Sequence, residues 1–204
     1  MRLYFVRHGE SEANILRVIS NRGQQHGLTK RGWAQARALA ERLAGVGIVQ
    51  VYASPLLRAV QTAETLAQAS GVPYAVTDAL REFDCGIAEN RGDAEAWQLW
   101  QSAVDAWDAQ DWRYKIEGGE CFLDLRDRFV PFIEGVVQRH AQPTDKVALV
   151  GHGGLYFSVL PLVLTNVDAR AVKTWSMTNT GYVLAETTPS GLRCLEWCGL
   201  AVAQ

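Results

Sequence analysis

Long apolar runs are missing from this sequence. None approaches the roughly 20 residues that a membrane-spanning helix requires, and charged Arg7 and Glu10 cut short the one early apolar stretch. Neither a membrane protein nor a cleaved secretory leader is expected, which makes the cytoplasm the default compartment. An excess of one charge is missing too: 20 Lys and Arg stand against 22 Asp and Glu, a net charge of −2. No global field would draw such a chain to nucleic acid or to an anionic bilayer. Cysteine is sparse, at Cys85, Cys121, Cys194 and Cys198 only. No two of these stand as Cys-x-x-Cys, and Cys194 with Cys198 lacks a histidine cluster. Reduced thiols are therefore expected, with neither zinc nor a disulfide framework, and oxidation of Cys194 and Cys198 to each other is left open. Repeats, low-complexity tracts and long linkers are also missing, so residues 1–204 read as one domain.

What is present is an alternation of strand and helix patterns. Strand-like runs occur at 2–6, 49–53, 72–76 and 146–150, and two more at 182–186 and 193–197 suggest a hairpin across Pro189-Ser190-Gly191. Between them, 29–44 reads as a helix capped by Thr29. Ser54-Pro55 reads as the N-cap and first residue of another, and 120–140 as a long helix that Pro131 should kink or interrupt. This order predicts an α/β fold, a three-layer α/β/α sandwich around a mostly parallel sheet. A stretch at about 90–118 stands apart as a tryptophan-rich insertion. Trp97, Trp100, Val104 and Trp107 recur at helical spacing, which suits a face packed on the core, an aromatic cap over a site, or both.

The chemistry gathers at strand ends. The run "LYFVRHGE" stops at Arg7, His8 and Gly9, and "VALVGHGG" repeats the pattern with His152, Gly153 and Gly154. In open α/β sheets the carboxyl ends of the strands are where ligands bind. Gly153 and Gly154 place bare amides at a helix start, a setting that suits an anion. Two imidazoles beside Arg7 call for something negative between them, and a phosphoryl group fits. Arg58, in "ASPLLRA", sits in the first turn of a helix, where its charge opposes the helix dipole. Glu82, in "LREFDCG", follows the third strand and could hold and deliver a proton. For His26 and His140 a structural role is the expectation.

These residues together resemble the histidine phosphatase superfamily, the phosphoglycerate mutase-like family. The resemblance rests on Arg7-His8-Gly9-Glu10, Asn14, Leu28-Thr29 with Gly32, Ser54-Pro55-Leu56 with Arg58 and Thr62, and Leu80 with Glu82 and Gly86. Gly118-Gly119-Glu120 and Gly151-His152-Gly153 complete it, all in family order. It implies that His8 is the nucleophile and forms a phosphohistidine. Arg7, Arg58, His152 and Asn14 would make the phosphate pocket, with Gly153 beside it. Glu82 would protonate the leaving alkoxide and then help activate water. Ser20 matches a position that can bond substrate in mutase-like members. No metal and no cofactor are implied.

The expected activity is hydrolysis of a small phosphorylated metabolite. Two alternatives stand beside it, a phosphoglycerate mutase and an inert binder of phosphorylated ligands. Departures surround the substrate rather than the nucleophile: Ala88-Glu89-Asn90 replaces a frequent Trp-Glu-Gly, and Cys121 replaces a frequent serine. Homo-oligomerisation is left open.

Overall fold

In the computed structural model, which describes residues 1–202, the chain runs through β1 (Arg2–Arg7), α1 (Glu12–Leu16), α2 (Lys30–Leu43), β2 (Ile48–Ala53), α3 (Leu57–Ser70) and β3 (Tyr74–Val76). It continues through α4 (Ala94–Asp108), α5 (Phe122–Arg139), β4 (Lys146–Gly151), α6 (Gly153–Val163) and α7 (Ala169–Val172) to β5 (Tyr182–Thr188), β6 (Gly191–Trp197) and β7 (Leu200–Ala201).

Side-chain alternation along the central strands explains the layering. In β1, Leu3 and Phe5 enter one core while Tyr4 and Val6 enter the other; in β4, Val147 and Leu149 oppose Ala148 and Val150 in the same way. A strand apolar on both faces must be covered twice. One cover is α2 and α3, through Leu39, Ala40 and Leu43 and through Ala59, Ala63 and Leu66. The other is larger and includes α5 and α6, through Leu125, Phe129 and Ile133 and through Leu155, Tyr156 and Val159. The α/β sandwich is as expected.

The sheet order is β3-β2-β4-β1-β5-β6-β7. Its first four strands are parallel, and β5, β6 and β7 extend it antiparallel at one side. The hairpin at Pro189-Ser190-Gly191 forms as anticipated, with Gly191 at a φ of 126°. Register is what matters for function. Arg7 lies opposite Gly151 and Ala53 opposite Val150, so β1, β4 and β2 end level with one another. Their next residues are His8, His152 and Ser54.

Two local readings change. The helix α3 begins at Leu57 with Leu56 as its cap residue, so Ser54 is not a cap; its hydroxyl is used at the strand ends instead. Helix α5 continues through Pro131 to Arg139. Pro131 is exposed, and water can satisfy the carbonyl that the missing N–H releases. Elsewhere Thr29 caps α2 by accepting from the Gly32 N–H at 3.0 Å. A Cβ on Gly32 would sit 1.9 Å from the Glu10 carbonyl oxygen, so glycine there allows the loop after β1 to lie directly on α2. Among the described residues no helix is long and apolar enough to cross a membrane.

Candidate active site

The ends of β1 and β4 bring His8 and His152 together, with ring centroids 5.1 Å apart. Both are buried, at 3% and 1% exposure. The His8 Nδ1 lies 2.6 Å from the Gly9 carbonyl oxygen. That carbonyl can only accept, so the proton of neutral His8 belongs on Nδ1. The Nε2 then carries the lone pair, and Arg58 Nε donates to it at 3.1 Å. Burial, then Arg58, then Arg7 push the His8 pKa well below the ordinary value, which keeps the ring neutral and nucleophilic.

Arg58 reaches this point because α3 starts just past the end of β2. Two of its other donors go to the Ser20 carbonyl at 2.7 Å and to Asn21 Oδ1 at 3.4 Å. It is 5% exposed, and burial pushes its pKa down to about 10, still charged at neutral pH. Arg7 is anchored by its Nη1 donating 2.6 Å to the Met177 carbonyl. Gly153 lies against it; a Cβ there would be 3.6 Å from Arg7 Nε. Glu82 is held at the start of α6, its Oε2 accepting from the Gly154 N–H at 2.9 Å and its Oε1 from the Phe83 N–H at 3.0 Å. Burial raises its pKa, and the Phe83 N–H, Arg58 and the Gly154 N–H pull it partly back.

Two donors are conspicuous. Arg7 Nε and His152 Nδ1 are buried with no hydrogen-bond partner among the described residues. A buried N–H left unpaired costs free energy that a ligand acceptor can offset. Both sit in a cluster with cationic Arg7 and Arg58, so the missing acceptor should be an anion.

A profile of the histidine phosphatase superfamily (branch 1) matches residues 3–199. The chain belongs to this superfamily. A probable phosphoglycerate mutase, GpmB, of Proteus mirabilis is 34% identical over 172 residues, 80% of this chain and 75% of its own length. Among solved structures, a mycobacterial glucosyl-3-phosphoglycerate phosphatase in complex with VO3 superposes with a TM-score of 0.83 at 25% identity, covering 98% of this chain and 99% of its own. A putative alpha-ribazole-5'-P phosphatase from Escherichia coli K-12 gives 0.80 at 25% identity, covering 100% and 98%.

In this histidine phosphatase the other sequence-predicted positions are placed differently from one another. Asn14 stands at the rim, its Oδ1 accepting from the Ser11 N–H at 3.1 Å. Ser20 reaches the cluster through its carbonyl, while its hydroxyl pairs with His26 Nδ1 at 2.8 Å. His140 pairs with the Tyr52 hydroxyl at 3.2 Å. The tryptophan face divides. Trp107 and Trp100 pack on Phe83, with centroids 5.0 and 6.0 Å away, and so support the segment that carries Glu82. Trp97 lies further out and donates its indole N–H to the Arg17 carbonyl at 2.9 Å.

Sequence reasoning missed two groups. Asn179 donates to the His8 carbonyl at 3.1 Å from a coil with no periodicity to mark it. Ser54 was visible in the Ser-Pro-Leu run but was read as a cap. Its Oγ accepts from the Leu56 N–H at 3.3 Å and lies 2.7 Å from His152 Nε2. The hydroxyl oxygen can accept twice, but its proton has no other acceptor among the described residues; donated to Nε2, it leaves the His152 proton on Nδ1, the unpartnered atom. Ser54 is thus a positioning residue. Ser54→Ala should lower kcat/KM for a phosphate ester by about tenfold, the worth of one buried hydrogen bond. It should also move the acid limb of the pH profile, and Ser54→Thr should restore both; a pH-independent loss that Thr fails to rescue would mark Ser54 as merely structural.

Proposed function

We propose that the protein hydrolyses small phosphate monoesters through a phosphohistidine on His8. The observation that carries this reading is the His8 ring: neutral, with its Nδ1 proton held by Gly9 and its Nε2 lone pair facing Arg58. The phosphoryl group displaces the Arg58–His8 contact, and Arg58, Arg7 and His152 Nδ1 take its equatorial oxygens. Nε2 forms the N–P bond as the ester P–O bond breaks, and Glu82 gives its proton to the departing alkoxide. The Glu82 carboxylate then accepts a proton from water, whose oxygen attacks phosphorus, breaks the N–P bond and releases inorganic phosphate. Phosphoryl transfer depends mainly on positioning and charge around those oxygens, and the guanidinium groups supply the charge. We place the reaction in the cytoplasm on a small phosphorylated metabolite, in keeping with four free thiols.

The mutase reading draws on the names of relatives such as the Proteus protein. The inert-binder reading has less support, since His8 and Glu82 are both present. One experiment separates the three. Purified protein with chelator present should release phosphate steadily from p-nitrophenyl phosphate and from 3-phosphoglycerate. Rapid interconversion of 3- and 2-phosphoglycerate with little release would establish the mutase, and binding without turnover the inert protein.

A further inference from the structure

Beside the phosphate pocket lies an open cavity of about 220 Å³ lined by Ala13, Asn14, Arg17, Val18 and Trp97. Two struts tie it to the reacting atoms. At one end, Asn179 Nδ2 contacts Asn14 Oδ1 at 3.4 Å and the His8 carbonyl at 3.1 Å. At the other, the segment after Arg17 delivers the Ser20 carbonyl to Arg58. The segment is firmly held. Arg17 ends α1 in the left-handed region, at φ 54° and ψ 44°, a conformation that arginine adopts only at a cost. Its carbonyl is pinned by the Trp97 indole, and Ile19 donates its N–H to the Arg91 carbonyl while its own carbonyl accepts from the Asn90 N–H.

The Arg17 side chain, by contrast, is uncommitted. It is exposed and forms no ion pair among the described residues, whereas Arg22 and Arg91, near the same segments in sequence, do; what sets it apart from other unpaired surface arginines is its place on the cavity wall. Asn14 Oδ1 is taken by Ser11 and Asn179, which leaves the Asn14 amide N–H groups for the cavity. The lining is therefore an indole face, two small apolar side chains, a free cation and amide donors.

We propose that this cavity receives the alcohol half of the substrate, and that Arg17 selects esters whose alcohol carries a second anionic group. The inference rests on the phosphatase reading above. It adds the substrate class: a short chain or small ring bearing a carboxylate or a further phosphate within reach of the reacting phosphoryl group. Trp97 contributes a wall against which the carbon skeleton lies, and Asn14 joins the cavity to the phosphate pocket.

The test compares kcat/KM for 3-phosphoglycerate, glycerol 3-phosphate, propane-1,3-diol bisphosphate and p-nitrophenyl phosphate in wild type and in Arg17→Asn, since asparagine tolerates the left-handed backbone. Wild type should prefer the carboxylate or the bisphosphate over glycerol 3-phosphate, whose alcohol half is uncharged, by about tenfold or more, the scale of a hydrogen bond to a charged group. Arg17→Asn should abolish that preference, mainly through KM, and leave the p-nitrophenyl ester within twofold. Arg17→Lys should restore part of it. The two anionic substrates together distinguish a carboxylate site from a phosphate site. Turnover that is indifferent to the second charge, or an equal loss on every ester in Arg17→Asn, would overturn the subsite alone. No turnover of any ester by wild type would overturn the phosphatase reading and the subsite with it.

Discussion

His8→Ala should lower kcat for p-nitrophenyl phosphate by about 10⁴-fold or more, the scale expected when a nucleophile that acts as part of a unit is removed. Loss of activity alone would not assign the role, because Arg58 also contacts Nε2. Two further readouts do. Wild type quenched with acid-free denaturant during turnover should carry a phosphoryl group on residue 8, and the variant should carry none. The variant should also retain affinity for inorganic phosphate. Arg7 and its anchor on the Met177 carbonyl are untouched by the substitution, and Arg58 Nε loses the partner it held at 3.1 Å, freeing a charged donor for the anion. Turnover within tenfold of wild type, or a labelled enzyme carrying its phosphate elsewhere, would remove His8 from the reaction.

How much of this could be read from the sequence follows from which interactions are local. Strands and helices are readable because β1 and β4 are short continuous apolar runs and α3 and α5 bury apolar faces at helical spacing. The convergence of His8 and His152 was readable because each follows an apolar strand directly and is followed by glycine. Tertiary choices were not. The turn at Pro189-Ser190-Gly191 announces the β5–β6 hairpin, but nothing local says that β5 joins the sheet antiparallel beside β1. Ser54 resembled a cap because a serine before Pro55 satisfies that pattern equally well; only the level ends of β2 and β4, set by pairing Ala53 with Val150, bring its hydroxyl to His152. Asn179 acts from 171 residues away, and whether Arg17 finds a carboxylate, as it does not among the described residues, is decided by distant parts of the fold. Long-range geometry of this kind has no periodic signature.

Glu82→Gln should discriminate between leaving groups. An alkyl phosphate expels a strongly basic alkoxide and needs a proton in the transition state, so its kcat/KM should fall by about 10²–10⁴-fold, the range for general acid catalysis. An aryl phosphate expels a phenolate that is stable at neutral pH, and its kcat/KM should fall by less than about tenfold, since the missing proton transfer is the term at stake. Because kcat/KM covers steps only through phosphoenzyme formation, the later demand on Glu82 to activate water does not enter that comparison. It appears instead as accumulated phosphohistidine in the variant.

The pH profile carries the same signature. Burial raises the Glu82 pKa from the ordinary glutamate value, so the proton needed for departure persists to higher pH than on an exposed glutamate. Alkyl-ester activity should decline as pH rises through that raised pKa, and this limb should vanish in Glu82→Gln. Burial and the two arginines lower the His8 pKa, so the acid limb should begin below the ordinary histidine range. The working window thus lies between a depressed base and an elevated acid. Equal losses on alkyl and aryl esters, or an alkaline limb that survives in the variant, would assign the proton donor elsewhere.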